Sequence, residues 1–397
     1  RRRSDRMVDD GLRGLLVAFV VATLLTPPAG WIARRVGAVD TPRARGLAAQ
    51  ATPLLGGLAI FAGAITAGLL YLPGSERYHA ILAGAAVIAL VGAIDDARPL
   101  PPVVKLAGQV GAGLILVLGG VTVQSFTLPF IHHVALGGAA EPLTLLGLVA
   151  IMNAVNFTDG VDGLAAGVCG ISAAAFGIIA FHLQRDPSGV LALITCGAAL
   201  GFLVHNFHPA AIFMGDCGSN LLGLLLGATI VEGSLKTNAF VALFVPLVVL
   251  AVPFLDTTFV VLKRMKYRRK IYSPDTNHFH HRFARIGFSQ RRTVGYLYAW
   301  TITMAGVAVA LNFVPYSDDH GHFDTGWTTV MIAVMLAGVA ASVYVVYTLE
   351  ILKLKRFRME AAPGTQEFEI EAEIERELET GEFPSVGGPV ENRRSVS

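Results

Sequence analysis

The chain has few charged residues and few cysteines, and both features exclude certain classes of protein. Of its 397 residues, 15% are charged and 53% are hydrophobic, and the mean hydropathy is +0.58. A soluble protein needs more charge to cover its surface, so this class is excluded, and we expect no nucleic-acid partner. The three cysteines form no CxxC pair, which argues against a disulfide framework or a thiolate zinc site. They are Cys169, Cys196 and Cys217.

Long apolar runs predict an all-α, polytopic integral membrane protein. A spanning helix needs roughly 20 apolar residues, and runs of that kind recur from Leu12 to Leu349. The 43 glycines suit helices whose backbones approach closely. We predict about eleven spans within one transmembrane domain, residues 1–350. They are 12–33, 54–72, 79–94, 102–119, 143–157, 163–182, 190–206, 217–231, 239–262, 293–314 and 326–349.

The charged loops predict the orientation. Short loops rich in Lys and Arg stay in the cytoplasm, and the loop after the ninth predicted span is the most basic, beginning with Lys263 and Arg264. Counting back by parity predicts that Arg34, Arg98 and their neighbours are also cytoplasmic. Five arginines near the start of the chain disagree, because eleven spans would leave them outside. They are Arg1, Arg2, Arg3, Arg6 and Arg13.

Residues 351–397 differ in composition from the rest of the chain. Acidic and apolar residues alternate from Glu367 to Glu379, before an end rich in Pro, Gly and Ser. The density of acids predicts a cytoplasmic, mostly disordered tail. Strict alternation leaves a β-strand as the alternative.

Polar residues fall in alternate gaps between the apolar runs, and alternate gaps share one face of the membrane. A carboxylate near hydrocarbon costs several kcal/mol unless it serves a site. A one-sided set therefore predicts a polar active centre at one membrane surface. The set is Asp95, Asp96, Asn153, Asn156, Asp159, Asp162, Asp216, His278, His280 and His281.

Two of these segments predict different local structures. Adjacent helical residues point about 100° apart, so we expect one of Asp95 and Asp96 to face a cavity and the other to orient a neighbour such as Lys105. A solvated pair at a helix end is the alternative.

In the segment 153–163 polar residues recur every three positions, which predicts a broken helix or a 3₁₀ turn that Gly160 and Gly163 permit. An ordinary interfacial loop is the alternative there.

Two further motifs carry groups suited to phosphate chemistry. In Phe213-Met-Gly-Asp216 an acid is bracketed by glycines, and a carboxylate there can ligate Mg²⁺ or cap a helix. In the most basic loop, His278, His280, His281 and Arg282 lie within five residues. The surrounding positive charge makes this cluster a better match for phosphate than for a metal, and a plain interfacial loop is the alternative.

Together these segments resemble the polyprenyl-phosphate N-acetylhexosamine-1-phosphate transferase family, over about Asp40 to Arg292. Residues 40–57 look like the family's first cytoplasmic loop and Asp95-Asp96 like its aspartate pair. Residues 153–163 look like its Asn/Asp-Gly motif and Phe213 to Asp216 like its Phe-x-Gly-Asp motif. The form His-x-His-His-Arg at His278 to Arg282 favours the undecaprenyl-phosphate N-acetylglucosaminyl-1-phosphate transferase branch, since the relative that makes the first peptidoglycan lipid intermediate typically carries three consecutive histidines.

The resemblance implies roles for individual residues. It implies Mg²⁺, or Mn²⁺ in its place, held by Asp216 with Asn153, and uracil stacked on Phe213. The histidine loop would contact the pyrophosphate. We further expect catalytic roles for four acids and substrate contacts from three other residues. The acids are Asp95, Asp96, Asp159 and Asp162, and the other residues are Asn156, Arg45 and Lys105.

The implied reaction moves N-acetylglucosamine-1-phosphate from UDP-N-acetylglucosamine to undecaprenyl or decaprenyl phosphate at the plasma membrane of a bacterium. One departure from the family pattern matters: after Arg45 this chain has Gly46 and Ala48 where the family usually has Lys and His. Another UDP-N-acetylhexosamine or UDP-muramoyl-pentapeptide as donor, a secondary transporter and an inactive scaffold remain alternatives. A homodimer is also left open.

Overall fold

The structure is a computed structural model, and it describes residues 2–40, 51–128, 132–234 and 290–313, with parts of 324–344. Nearly all of this is helical. The helices are α1 (Arg2–Val36), α2 (Gly56–Tyr71), α3 (Glu76–Ala97), α4 (Pro102–Leu118), α5 (Ala140–Thr158), α6 (Leu164–His182), α7 (Asp186–Asn206), α8 (Gly215–Ser234) and α9 (Gln290–Asn312).

The strands are short and lie between helices. Strands β1 (Val39–Asp40) and β2 (Thr52–Pro53) pair antiparallel, with Val39 opposite Pro53. Strands β3 (Ser125–Leu128) and β4 (His132–Ala135) form a second antiparallel pair. A 3₁₀ turn, Gly137–Ala139, leads into α5. The first pair closes the loop that the resemblance singles out, so both ends of that loop lie side by side.

The prediction of an all-α membrane protein is confirmed. Among the described residues, six helices are long and apolar enough to cross a membrane, namely α1, α3, α5, α6, α7 and α9. Helices α2 and α4 are shorter and apolar. Each of the first eight predicted spans and the tenth coincides with a helix. The ninth, 239–262, lies outside the described residues and the last is described only in part, so the number eleven stays a prediction.

Small side chains set the packing of the bundle. Helix α1 packs on α7 and α2, α8 packs on α3 and α5, and α9 packs on α6. The surface of α1 that enters the core carries alanines, including Ala18 and Ala29, while Leu16 and Leu24 on its other side are exposed. Outward-facing leucine is what a lipid environment favours, so the helix surfaces agree with the composition.

The start of α2 meets the start of α8 with almost no space between their backbones. A Cβ atom at Gly57 would overlap the backbone nitrogen of Gly218. The amide of Gly57 donates to the carbonyl oxygen of Met214 at 3.0 Å. Nearby, Ala33 at the end of α1 and Leu55 before α2 are buried together against Ala97 at the end of α3. Four helix ends therefore meet at one end of the bundle.

Candidate active site

Three carboxylates converge where these helix ends meet. Asp95 and Asp96 lie in the last turn of α3, and Asp216 lies in the first turn of α8. Each offers an oxygen atom, and these atoms lie within 4.8 Å of one another. Although adjacent helical residues point about 100° apart, both acids place an oxygen atom in the same cluster.

Asp96 caps the helix that carries Asp216. Its Oδ1 accepts a hydrogen bond from the backbone amide of Asp216 at 2.7 Å, and its Oδ2 accepts one from the amide of Cys217 at 3.1 Å. The first amides of a helix have no partner within the helix, and a negative charge there is favourable. Asp96 thus fixes the backbone of Asp216 from another helix, a role that the sequence did not predict.

Asp95 is held by a lysine and by the backbone. Its side chain is 7% exposed, and Oδ2 lies 2.5 Å from the Nζ of Lys105. Its Oδ1 accepts a hydrogen bond from the amide of Leu100 at 2.7 Å. Lys105 also donates to Oδ2 of Asp216 at 2.9 Å. The prediction that one acid of the pair orients Lys105 is confirmed, and Lys105 joins two of the three carboxylates.

Asn156 completes the surroundings of Asp216. Its Nδ2 donates to Oδ1 of Asp216 and to the Oγ of Ser219, both at 2.9 Å. Ser219 in turn donates to the carbonyl oxygen of Gly215 at 2.9 Å. Both oxygens of the Asp216 carboxylate are therefore oriented by donors from other helices, Lys105 on α4 and Asn156 on α5.

Asn153 occupies a different position from the one implied for a partner of Asp216. Its Nδ2 donates to Oε1 of Gln109 and to the carbonyl oxygen of Val149, each at 2.8 Å. Gln109 donates to Oδ1 of Asn220 at 2.8 Å, and Asn220 donates to the carbonyl oxygen of Asp216 at 2.9 Å. Asn153 is thus linked to Asp216 through two buried amides, and its role as a metal ligand stays a prediction.

The predicted break in the segment 153–163 is confirmed. Helix α5 ends at Thr158, Asp159 caps it, and α6 begins at Leu164 after Gly163, whose φ is +79°. Loss of hydration raises the pKa of the half-buried Asp159 well above its ordinary value, and the charges of Asp216 and Asp96 raise it further. Asp159 therefore holds a proton more readily than an ordinary aspartate does.

Asp162 is bound to the loop between α7 and α8. Its Oδ2 lies 2.7 Å from Nδ1 of His208 and accepts a hydrogen bond from the amide of Ala210 at 3.1 Å. The buried Asn206 holds the same two segments together, since it accepts from the amide of Gly163 and donates to the carbonyl oxygen of Ile212, both at 2.9 Å. These contacts fix the turn after α5 against the segment that leads to Phe213.

Phe213 is half-buried, and its backbone is paired on both sides. Its amide donates to the carbonyl oxygen of Pro53 at 2.9 Å, and its carbonyl oxygen accepts from the amide of Gly56 at 3.0 Å. The first loop and the Phe-x-Gly-Asp motif are therefore neighbours. Arg45 and the cluster His278, His280, His281 and Arg282 lie outside the described residues, so their predicted roles stay predictions.

Several residues that support the site gave no clear signal in the sequence. Gln109, Asn206 and Asn220 are single amides within apolar helices, and such residues are uncommon in spans and tend to face the bundle interior. That rarity was the available signal. Tyr298 on α9 donates to the carbonyl oxygen of Gly163 at 2.5 Å, although the two residues are 135 positions apart in the sequence.

The cluster has the chemistry of a site for a hard divalent cation. Mg²⁺ prefers oxygen ligands and uses one or two carboxylates together with substrate phosphates. Among the described residues, three carboxylates face the single ammonium group of Lys105, so these acids outnumber the described cation beside them. The donor set fits Mg²⁺, with Asp216 and its neighbouring acids as the residues that would hold it.

Comparison with known proteins finds relatives that match most of the chain. The model of glycosyl transferase family 4 matches residues 78–234, which contain all three carboxylates of the cluster. A probable undecaprenyl-phosphate N-acetylglucosaminyl 1-phosphate transferase of Bacillus subtilis is 38% identical over 299 residues, 74% of this chain and 83% of its own. A decaprenyl-phosphate N-acetylglucosaminephosphotransferase of Mycobacterium tuberculosis is 38% identical over 360 residues, 82% of this chain and 86% of its own.

A third relative has a different donor in its name. A phospho-N-acetylmuramoyl-pentapeptide-transferase of Moorella thermoacetica is 37% identical over 317 residues, 75% of this chain and 96% of its own. The helical bundle, the acidic site and these matches together define a membrane-embedded transferase. The chain belongs to the polyprenyl-phosphate N-acetylhexosamine-1-phosphate transferases, the family that its motifs resemble.

Proposed function

We propose that this protein transfers N-acetylglucosamine-1-phosphate from UDP-N-acetylglucosamine to a polyprenyl phosphate. The products are UMP and a lipid-linked diphosphate sugar, which starts the synthesis of a cell-envelope polysaccharide. The observation that carries the proposal is the cluster of Asp95, Asp96 and Asp216 around Lys105, within the segment that matches the family. The names of the relatives from Bacillus and Mycobacterium support N-acetylglucosamine as the sugar.

The reaction exchanges one phosphoanhydride bond for another. An oxygen of the lipid phosphate attacks the phosphorus that bears the sugar, and the bond from that phosphorus to the oxygen of UMP breaks. A phosphate monoester has a second pKa of about 6, so the attacking oxygen is already mostly ionised at neutral pH. The acceptor needs little help from a base, which favours direct attack and a positioning role for Asp95 and Asp96.

The residues of the site serve charge and orientation. Two phosphate-bearing substrates repel one another, so cationic groups must lie where charge gathers. Lys105 is the described cation at the cluster, and Asp95 and Asp216 hold it in place. Mg²⁺, when bound by Asp216 and its neighbours, would supply further positive charge beside the transferring phosphoryl group.

We infer that the site faces the cytoplasm. Arg34 and Arg35 lie in the last turn of α1, and Arg98 follows α3, so these cations lie at the same end of the bundle as the acids. Basic residues in short loops favour the cytoplasmic side. Cysteines introduced at exposed positions near Arg98 should react with membrane-impermeant reagents only in inside-out vesicles.

The decisive experiment is a transfer assay with purified protein, Mg²⁺ and undecaprenyl phosphate. UDP-N-acetylglucosamine, UDP-N-acetylgalactosamine and UDP-muramoyl-pentapeptide are offered separately, and UMP and the lipid product are measured. We expect product from UDP-N-acetylglucosamine. Product from the muramoyl-pentapeptide donor alone would contradict the choice of sugar, and binding of UDP-sugar without turnover would support an inactive scaffold.

The route of transfer can be tested separately. Direct attack leaves no covalent intermediate, whereas the rival route forms a phosphosugar bound to an aspartate. Protein is incubated with donor labelled in the sugar phosphate, without lipid acceptor, and is then denatured and analysed by mass spectrometry. An adduct on an aspartate that transfers its label when lipid phosphate is added would refute direct attack.

A further inference from the structure

Two consecutive prolines interrupt the hydrogen bonds of α1 within its membrane-spanning part. Pro27 and Pro28 lie inside the helix, which continues to Val36. Proline has no N–H, so Pro27 cannot donate to the carbonyl oxygen of Thr23, four residues earlier. In a membrane, a carbonyl oxygen that loses its donor is commonly bonded by a neighbouring helix instead. The carbonyl oxygen of Thr23 is therefore expected to have a donor from outside α1.

That donor is His205, near the end of α7. Its Nε2 lies 3.0 Å from the carbonyl oxygen of Thr23. A carbonyl oxygen can only accept, so Nε2 carries the proton in this contact. The two helices are close here, because a Cβ atom at Gly201, one turn earlier on α7, would overlap the carbonyl oxygen of Phe19. His205 thus replaces the backbone donor that Pro27 lacks.

The backbone of His205 is bonded to the loop that leads to Phe213. Its carbonyl oxygen accepts a hydrogen bond from the amide of Ala211 at 2.9 Å. The next residue, Asn206, donates to the carbonyl oxygen of Ile212 at 2.9 Å. The side chain of His205 therefore reaches α1, while its backbone holds the loop that precedes Phe213.

The part of α1 beyond the prolines packs on the same loop. A Cβ atom at Gly30 would lie 3.4 Å from Cδ1 of Ile212 and 3.7 Å from Cγ of Pro53, so the backbone of α1 passes directly beside both residues. Ile212 precedes Phe213 in the chain, and the carbonyl oxygen of Pro53 accepts from the amide of Phe213 at 2.9 Å. A shift of the last turns of α1 would therefore move two neighbours of the Phe213 backbone.

We propose that His205 is a positioning residue for the nucleotide end of the site. It bonds the carbonyl oxygen that Pro27 leaves free, and so holds the last part of α1 against the segment that carries Phe213. The proposal rests on the proposed function in its final step alone, since Phe213 is expected to stack on the uracil of the donor. The coupling between His205 and Pro27 stands on the geometry.

The test is a double-mutant cycle in the purified full-length protein. His205→Leu removes the donor. In Pro27→Ala the new backbone N–H reaches the carbonyl oxygen of Thr23, so His205 is no longer needed. Hydrogen–deuterium exchange of peptides from residues 207–216 reports how often the loop opens. We expect His205→Leu to raise this exchange at least about threefold in the parent protein and less than about twofold in Pro27→Ala.

Pro28→Ala is the matched control background. Its new N–H reaches the carbonyl oxygen of Leu24 and not that of Thr23, so His205→Leu should still raise the exchange at least about threefold there. His205→Gln is the rescue variant, because its Nε2 can also donate to Thr23, and we expect exchange within about twofold of the parent protein. Equal effects of His205→Leu in the two proline backgrounds would overturn the proposal, as would unchanged exchange in the parent background.

The cycle also gives an answer if His205→Leu is not recovered folded from the parent protein. Recovery of His205→Leu with Pro27→Ala, but not with Pro28→Ala, supports the coupling. Failure in both backgrounds, together with failure of His205→Gln to behave as the parent protein does, contradicts it.

Binding of UMP is measured by calorimetry on the same variants. We expect His205→Leu to weaken it at least about threefold, and His205→Gln and His205→Leu with Pro27→Ala to stay within about twofold of the parent protein. Raised exchange with unchanged UMP affinity would refute the positioning role. A parent protein that neither binds UMP nor makes product refutes the proposed function and the positioning step with it, whereas the exchange cycle decides the coupling between His205 and Pro27 independently.

Discussion

Helices α3 and α8 pack side by side, and the charged side chains at the two ends of this helix pair have different bonding partners. At the site end, Asp96 accepts hydrogen bonds from two amides of α8, and Asp95 and Asp216 share Lys105. At the opposite end, Arg77 on α3 lies 3.8 Å from the buried Glu232 on α8. There Oε1 of Glu232 is buried without a hydrogen-bond partner, as are Oδ1 of Asp186 and Nε of Arg185.

The difference indicates which end is organised for chemistry. Directional bonds hold each carboxylate of the site end in one orientation, which is what preorganised electrostatic catalysis requires. At the opposite end Glu232 interacts with Arg77, Tyr78 and Arg185, and 48% of the Arg77 side chain is exposed. Solvent reaches the Arg77 side of this pair and weakens the attraction between the two charges. The following changes test this contrast, in order of decreasing expected effect.

Asp216→Asn should give the largest effect. The substitution turns one carboxylate oxygen into an NH₂ group. That NH₂ group then faces Lys105 or Asn156, which are themselves donors. The substitution also removes the predicted metal ligand. We expect turnover at ordinary Mg²⁺ to fall by at least about 10²-fold, the upper end of what partners one step removed from a metal cause. The transfer assay measures it, and wild-type turnover would refute the metal role.

Asp96→Asn should damage both activity and stability. One acceptor oxygen becomes an NH₂ group facing an amide of α8, so one hydrogen bond to Asp216 or Cys217 is lost. A buried donor left unpaired costs about 1–3 kcal/mol. We expect kcat to fall with little change in the KM of the nucleotide sugar, and thermal unfolding in detergent to occur earlier. Unchanged unfolding would show that the cap does not stabilise α8.

Gly57→Ala should test how tightly the site end is packed. Its Cβ would overlap the backbone of Gly218, and overpacking of this kind costs typically about 1–3 kcal/mol. Gly147→Ala on α5 is the control, because a Cβ there meets nothing within 4 Å and alanine favours a helix by about 1 kcal/mol. We expect a lower unfolding temperature for the first variant only. Equal effects would mean that the close approach does not limit packing.

Glu232→Gln should have the smallest effect. It removes a buried charge whose nearest cation is partly solvated, so we expect stability to change by about 1 kcal/mol or less and transfer activity to be unchanged. Unfolding and the transfer assay are measured beside Asp96→Asn. A loss of activity as large as that of Asp96→Asn would contradict the claim that only the site end of α3 and α8 is organised for chemistry.

The features of the site that the sequence predicted are those set by residues close together in the sequence. Spacing of the Asn and Asp residues predicted the break between Thr158 and Leu164, because a regular helix would turn them away from one another. The sequence also predicted that one acid of the pair Asp95-Asp96 orients Lys105, and the structure shows that this acid is Asp95. The capping of α8 by Asp96 was not predicted from the sequence. It joins residues 120 positions apart, and such a contact produces no periodic pattern in either segment.

Composition and apolar runs by themselves determined that the chain is a bundle of membrane helices, because a span must satisfy its backbone internally and present apolar side chains to lipid. The motifs predicted which acids belong to the site, and three of them, Asp95, Asp96 and Asp216, lie together in the structure. Only the tertiary structure decided which oxygen meets which donor: Asn156 rather than Asn153 bonds to the Asp216 carboxylate, and Gln109 and Asn220 link Asn153 to its backbone. These choices depend on how the packed helices are rotated and shifted relative to one another. Contacts between segments distant in the sequence set that arrangement.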